Sequence, residues 1–288
     1  MKDIALLTVD GRSQLRMERR LAHPPEKVWS ALTEPSHISK WYPFPVAELE
    51  LKEGGKVSFD AGDGSTFEGI ITEVDPPKVF AFREEDDLLR FEITPVDGGS
   101  QLVFSHTFDD RPAAASNASG WTDCLDALEQ VAGGADQVEV DNDSVALHER
   151  LVKEFGLDEG VVLTTGDGWI VRFERQLREP ADKVWAVLSG GSDGVSEGDP
   201  VPSGFAHPGA STGKVLSAAK AEHVEFEWLN DGKPAGTVRY EFRPGNGGAR
   251  LTLTQQGDTG SADLRDSALH AWHGHIEGLA AELFKARG

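Results

Sequence analysis

A single cysteine, Cys124, stands in 288 residues, so no intrachain disulfide can form and the fold must be held by its core. Cations are scarce as well: 28 Lys and Arg face 49 Asp and Glu, a formal net charge of −21. A surface so short of clustered Lys and Arg argues against nucleic acid as a partner and against anionic membrane surfaces. No apolar run approaches the length of a membrane span, so no membrane insertion is expected. The opening MKDIALLTVDG lacks the basic stretch followed by an apolar run that marks a signal peptide, and a cytoplasmic location is expected. Motifs of nucleotide and nucleophile chemistry are missing too. GDGST (62–66) is not followed by Gly-Lys-Ser/Thr, and neither a dinucleotide fingerprint nor a G-x-S-x-G elbow occurs. No cofactor is expected.

What the chain does have is a repeat. AHPPEKVWSAL (22–32) returns as REPADKVWAVL (178–188), and LRFEITPVDGGSQLVF (89–104) returns ungapped as VRYEFRPGNGGARLTL (238–253). Phe173-Glu174-Arg175-Gln176-Leu177 likewise echoes Met17-Glu18-Arg19-Arg20-Leu21. Elements recurring in one order at so long a period imply two tandem globular domains rather than a solenoid. Domains of roughly 100–150 residues can bury a core unaided. The expected division is a first domain over 1–134, an acidic linker with a short amphipathic helix over 135–166, and a second domain over 167–288.

Within the first copy, Gln14 to Leu21 alternates with period two and predicts a half-buried strand after a short leader, with Arg19 on its apolar side. Such an arginine snorkels, sits in an internal ion pair or anchors a ligand. Pro24 and Pro25 preset a helix start, Val28, Trp29 and Leu32 lie at helical spacing, and Pro35 ends the run. Ser36 is placed to cap a second short helix in which Ile38 and Trp41 share a face. Short alternating runs then follow, separated by Asp75-Pro76-Pro77 and Asp97-Gly98-Gly99, as expected of a meandering antiparallel sheet. From Gly120 the period becomes helical, with Trp121, Cys124, Leu125, Leu128 and Val131 on one face, and Gly133-Gly134 ends it. The fold class expected is α+β. Cys124 on the buried stripe reads as a small core residue.

The copies differ. Where the first has HISKWYPF, the second has the glycine-rich run 190–204, and His106 is replaced by Gln255. The second copy is therefore expected to be degenerate, with a stabilising or interface role.

These residues carry a resemblance. KVWSALTEPSHISKW, the GGKVSF strand start, GIITEVDPPKVF, GGSQLVFSHTF and the Gly120-Trp121 helix opening resemble the SRPBCC (START-like) superfamily, and within it the branch named after the activator of heat-shock protein 90 ATPase. The resemblance implies a helix-grip fold, in which a curved antiparallel sheet wraps a long C-terminal helix around an elongated cavity. Relatives bind lipids, polyketides or other apolar molecules, a minority catalyse cyclisation or hydrolysis, and a chaperone is a partner by the same resemblance.

On that basis the ligand cavity is expected in the first domain, lined by Trp41, Tyr42, Phe80, Phe91, Phe104, His106 and Trp121, with Arg19 as a polar anchor. Aromatic walls with few polar groups are how small-molecule sites are built. No dedicated catalytic machinery is expected; a cavity enzyme would need His106 and Arg19 to converge on one point. HAWHGH (270–275) puts His270, His273 and Glu277 on one helix side, yet HExxH is absent and a solvated face is the expectation. Glu84-Glu85-Asp86-Asp87 reads as an exposed hairpin rather than a calcium loop. No metal site is expected.

Overall fold

The computed structural model describes residues 3–192 and 194–286. Two compact units divide between Leu151 and Val152. The first contains β1 (Asp3–Val9), β2 (Arg12–Leu21), α1 (Pro25–Thr33), α2 (Pro35–Trp41), β3 (Val46–Leu49), β4 (Lys56–Asp60), β5 (Thr66–Asp75), β6 (Val79–Glu84), β7 (Asp87–Val96), β8 (Gly99–Phe108) and the long helix α3 (Ala114–Ala132). The division falls inside α4 (Ser144–Glu154). The eight strands form one antiparallel sheet in the order β1-β2-β8-β7-β6-β5-β4-β3.

Period-two alternation holds along the central strands. β8 buries Ser100, Leu102, Phe104, His106 and Phe108, and β2 buries Ser13, Leu15, Met17, Arg19 and Leu21. Of these, Met17, Leu21, Leu102 and Phe104 share one core with Trp121, Leu125, Leu128 and Val131 of α3. Each fully buried Phe or Leu there contributes about 1.5–3 kcal/mol of transfer free energy.

The second unit carries β9 (Val161–Thr165), β10 (Gly168–Gln176), α5 (Ala181–Leu188), β11 (Ser211–Ala219), β12 (His223–Asn230), β13 (Lys233–Gly245), β14 (Gly248–Asp258) and α6 (Arg265–Lys285). Its six-stranded sheet reads β9-β10-β14-β13-β12-β11, which repeats β1-β2-β8-β7-β6-β5. Among its described residues no helix or strand corresponds to α2, β3 or β4; the glycine-rich run stands in their place with a β-bridge from Pro200 to Lys214 and the short 3-10 turn Ser203–Phe205, whose Phe205 packs on Trp185 and Tyr240. Trp169, Phe173, Trp185, Tyr240, Leu251, Trp272 and Ile276 fill this core.

Four local expectations need correction. The leader is a strand: β1 pairs with β2 through a tight turn in which Asp10 and Gly11 both have positive φ, 50° and 81°, the hairpin chemistry that an Asp-Gly pair supplies. β9 likewise lies within the stretch expected as linker, joined to β10 by the two-residue turn Gly166-Asp167. α2 starts at Pro35 with Glu34 as the capping position, and no side chain, Ser36 included, caps it. α3 begins at Ala114, well before Gly120, and its first turns bury Ala114, Ala115, Ser116, Ala118 and Ser119. Small residues there let the helix backbone lie close to the sheet, which leaves no large apolar side chain to announce the period.

Candidate functional site

The aromatic residues singled out in the first copy form one connected cluster under α3. Phe91 of β7 and Phe104 of β8 are register partners with ring centroids 4.8 Å apart. Trp121 of α3 covers Phe104 at 4.6 Å. Trp41, at the end of α2, meets Phe91 at 5.8 Å and donates its indole N–H to the Ala31 carbonyl at 2.8 Å, which ties α2 to α1. Tyr42 stacks on Phe59 at 4.8 Å and tilts against Trp121 at 5.9 Å. Phe80 joins through Phe91 at 6.4 Å.

The cluster ends in polar groups at the β6–β7 hairpin. Tyr42 donates its hydroxyl to Glu84 Oε2 at 2.6 Å. Trp121 Nε1 donates to His106 Nδ1 at 3.1 Å, and the other ring nitrogen, Nε2, lies 2.9 Å from Asp87 Oδ2. Because Nδ1 accepts, the imidazole proton belongs on Nε2, facing the carboxylate. Burial pushes the Glu84 carboxyl above its ordinary range against the opposing Tyr42 hydrogen bond, and the buried Tyr42 hydroxyl is raised in turn, with the Glu84 charge adding to the effect. Burial also pushes the Cys124 thiol up to about 12, so it stays protonated at neutral pH and lacks the thiolate needed for nucleophilic chemistry.

Glu84 and Asp87 were read from the sequence as parts of a solvated acidic tip. The strand period does carry them to the inner face, where both are half-buried: the inward alternation of Phe80 and Phe82 continues to Glu84, and that of Phe91 and Leu89 continues to Asp87. The tip itself, Glu85 and Asp86, is exposed.

Arg19 lies elsewhere on the same sheet face. It is 3% exposed, its Nε sits 3.7 Å from Asp126 Oδ1 on α3, and Nη1 donates to the Glu18 carbonyl at 3.0 Å. In the β2–β8 register Leu15 faces His106 whereas Arg19 faces Leu102, a separation of four residues or about 13 Å along the strand. The structure does not bring Arg19 and His106 together, and a proton-transfer pair built from them is not formed.

Both arrangements recur in the second copy. Arg175 Nε meets Glu277 Oε1 at 3.0 Å, again β-strand to final helix, and Trp272 Nε1 donates to Gln255 Oε1 at 2.5 Å. Gln255 thus keeps the acceptor that His106 supplies in the first copy. Glu277 is held by that arginine and His273 Nε2 lies 3.2 Å from Asp158; among the described residues no group of three His, Cys, Asp or Glu could hold a metal ion. His275, one turn from Trp272, has its pKa lowered, first by burial and also by His207, against a hydrogen bond to the Gly204 backbone. A base depressed in the fold contributes stability that is full above its unfolded pKa of about 6.5 and declines as pH falls through and below it. The urea midpoint of the second unit is therefore expected to drop between about pH 8 and pH 5, and His275→Gln is expected to flatten that drop. An unchanged slope in the variant would assign the pH dependence elsewhere.

A sheet closed by one long helix, with an aromatic interior and a polar rim, repeated in tandem, defines the class: a double helix-grip α+β protein. The chain belongs to the family described as activator of Hsp90 ATPase homolog 1-like protein, whose pattern matches residues 22–133 and 191–283. Solved structures similar to it include a conserved protein of unknown function from Enterococcus faecalis, 18% identical with a TM-score of 0.47, covering 54% of this chain and 91% of that one. CalU16 from Micromonospora echinospora is 17% identical with a TM-score of 0.42, covering 54% and 95%. Protein MLL2253 from Mesorhizobium loti is 25% identical with a TM-score of 0.36, covering 43% and 98%. No curated protein matches the chain. Among the described residues no helix is long and apolar enough to cross a membrane.

Proposed function

We propose that this chain is a non-catalytic cytoplasmic binding protein whose first copy takes a small apolar ligand, lipid- or polyketide-like. The ligand lies against Trp41, Tyr42, Phe80, Phe91, Phe104 and Trp121, with His106 at the polar end and Arg19 as a second polar group further along the sheet. The observation that carries this reading is the continuous aromatic cluster ending in Glu84 and Asp87, each fixed by one hydrogen bond from an interior ring. An apolar enclosure with a few oriented polar groups is the usual construction of a small-molecule site. The rings touch one another, so a guest is admitted by parting α3 from the sheet, and its affinity is reduced by the cost of that opening.

Native mass spectrometry of protein taken from cell extract is the test. A co-purifying species, or saturable binding from a panel of fatty acids and polycyclic aromatics, is expected; an empty protein that binds none of them removes the proposal.

The family description favours a second reading, a regulator of a chaperone ATPase. Stimulation of the ATPase of the host's own heat-shock protein 90 homologue would support it. Unchanged turnover together with no recovery in pull-down would dismiss it.

A further inference from the structure

The aromatic interiors of the two copies treat their polar atoms differently. In the first, the Trp41 indole, the Tyr42 hydroxyl and the Trp121 indole each donate to an acceptor, and His106 is engaged through both ring nitrogens. In the second, among the described residues, the Tyr240 hydroxyl, Gln255 Nε2 and Trp185 Nε1 are buried without a hydrogen-bond partner. Tyr240 is 0% exposed, and Gln255 and Trp185 are each 1% exposed. Buried polar groups of native folds are paired with rare exceptions, and each exception calls for a role or an occupant.

The ungapped match of the two hairpins puts Tyr240 where the first copy has Phe91, and Gln255 where it has His106. A hydroxyl thus enters a place that a phenylalanine fills with no unpaired atom. Both side chains face inward, from β13 and β14. In that register Tyr240 faces Leu253 and Gln255 faces Val238, so the two are diagonal neighbours, about 7–8 Å apart and within the span of one small molecule. Trp272 of α6 meets both: its indole donates to Gln255 Oε1, and its ring lies 6.1 Å from that of Tyr240. The Phe205 ring stands 5.3 Å from Tyr240 and 5.2 Å from Trp185. It is carried by a three-residue 3-10 turn behind the glycine-rich run, the part of this wall that neither sheet nor long helix holds in place.

We infer that the second copy has a ligand site of its own between Tyr240, Gln255 and Trp272, separate from the one proposed in the first copy. Its ligand is a neutral, flat, apolar molecule whose carbonyl oxygen accepts from the Tyr240 hydroxyl and Gln255 Nε2, with Phe205 turned aside to admit it. The ligand chemistry follows from the donors. Hydroxyl, amide and indole all offer protons, so the guest presents an acceptor. The rings of Tyr240, Trp272 and Phe205 suit a flat apolar body. The buried cations Arg175 and Arg250 lie four and five residues from the level of Gln255 in the β10–β14 register, roughly 13–17 Å along the strands, and Arg175 is held by Glu277. A carboxylate beside Gln255 would therefore keep an uncompensated charge in the interior, which disfavours the acid against the ketone. A buried donor without an acceptor carries its full desolvation penalty. A bound oxygen removes that penalty and so offsets the displacement of Phe205.

The test titrates ¹⁵N-labelled full-length protein at neutral pH with three probes of one shape: acetonaphthone, naphthoate and ethylnaphthalene. The ketone is expected to bind saturably in the micromolar range and to shift the indole resonances of Trp185 and Trp272. The acid and the hydrocarbon should bind at least about 10-fold more weakly, because neither satisfies the donors at no charge cost. Tyr240→Phe installs the residue of the first copy. It should weaken the ketone about 10-fold, leave the hydrocarbon unchanged and not lower the unfolding temperature, since it removes a buried hydroxyl that has no partner. No saturable ketone binding, equal affinity for all three probes, or shifts confined to the Trp41 and Trp121 indoles would overturn the inference. So would a Tyr240→Phe protein that binds the ketone like the parent. A lower unfolding temperature in that variant would assign the hydroxyl to an internal water and overturn it equally.

Discussion

Glu277→Ala is expected to destabilise the second unit by about 3 kcal/mol. Arg175 is 1% exposed, and its Nε faces the Glu277 carboxylate at 3.0 Å across the sheet–helix interface. Removing the acid strands a guanidinium that cannot return to water without parting α6 from β10. The cost comes less from the lost attraction than from leaving a buried guanidinium without this carboxylate. Two consequences separate this account from a surface ion pair. The double variant Arg175→Met, Glu277→Leu should regain most of the loss, because an apolar pair needs no charge compensation. The first unit should be unaffected, which hydrogen exchange resolved by residue would show, since one midpoint for a two-domain chain conceals such a split. A loss below about 1 kcal/mol, the scale of exposed pairs, would mean that the pair is effectively solvated.

Phe91→Ala is expected to cost the first unit about 3–5 kcal/mol, the range for truncating a fully buried phenylalanine. The ring is 0% exposed and touches Trp41, Phe80 and Phe104 at centroid distances of 5.8, 6.4 and 4.8 Å. The penalty of a core truncation grows with the void that the surroundings fail to fill. A loss at the top of the range describes an interior packed tightly around its own rings. A loss near 1 kcal/mol would describe one that collapses readily into the void. Urea titration followed by tryptophan fluorescence, with Phe44→Ala as the half-exposed control, distinguishes the two.

Much of the architecture was legible because periodicity and repetition are local signals. The returning KVW segment and the ungapped match across β7–β8 and β13–β14 announced the tandem fold, and Arg19 on an apolar strand face offered an internal ion pair as one of three readings. The partners themselves were not legible. Arg175 and Glu277 are separated by 102 positions, and nothing in either neighbourhood names the other. Gln255 was taken as the loss of His106, because residue type is what a sequence displays, whereas the Trp272 indole needs only a lone pair. The acidic hairpin was read rightly as exposed at Glu85 and Asp86, but the inward hydrogen bonds of the half-buried Glu84 and Asp87 were hidden by their charge, which signals solvent. The start of α3 was concealed by alanines and serines, whose value is closeness rather than hydrophobicity. β1 and β9 went unseen as strands although each meets its neighbour through a recognisable glycine–aspartate turn.

The β6–β7 hairpin is fastened at both of its feet. One foot is tied through Tyr42 to the end of the elbow helices, and the other through His106 to the indole of the long helix. A pull on the exposed tip at Glu85 and Asp86 would therefore be carried inward by two hydrogen-bonded links, one reaching the end of α2 and the other reaching α3.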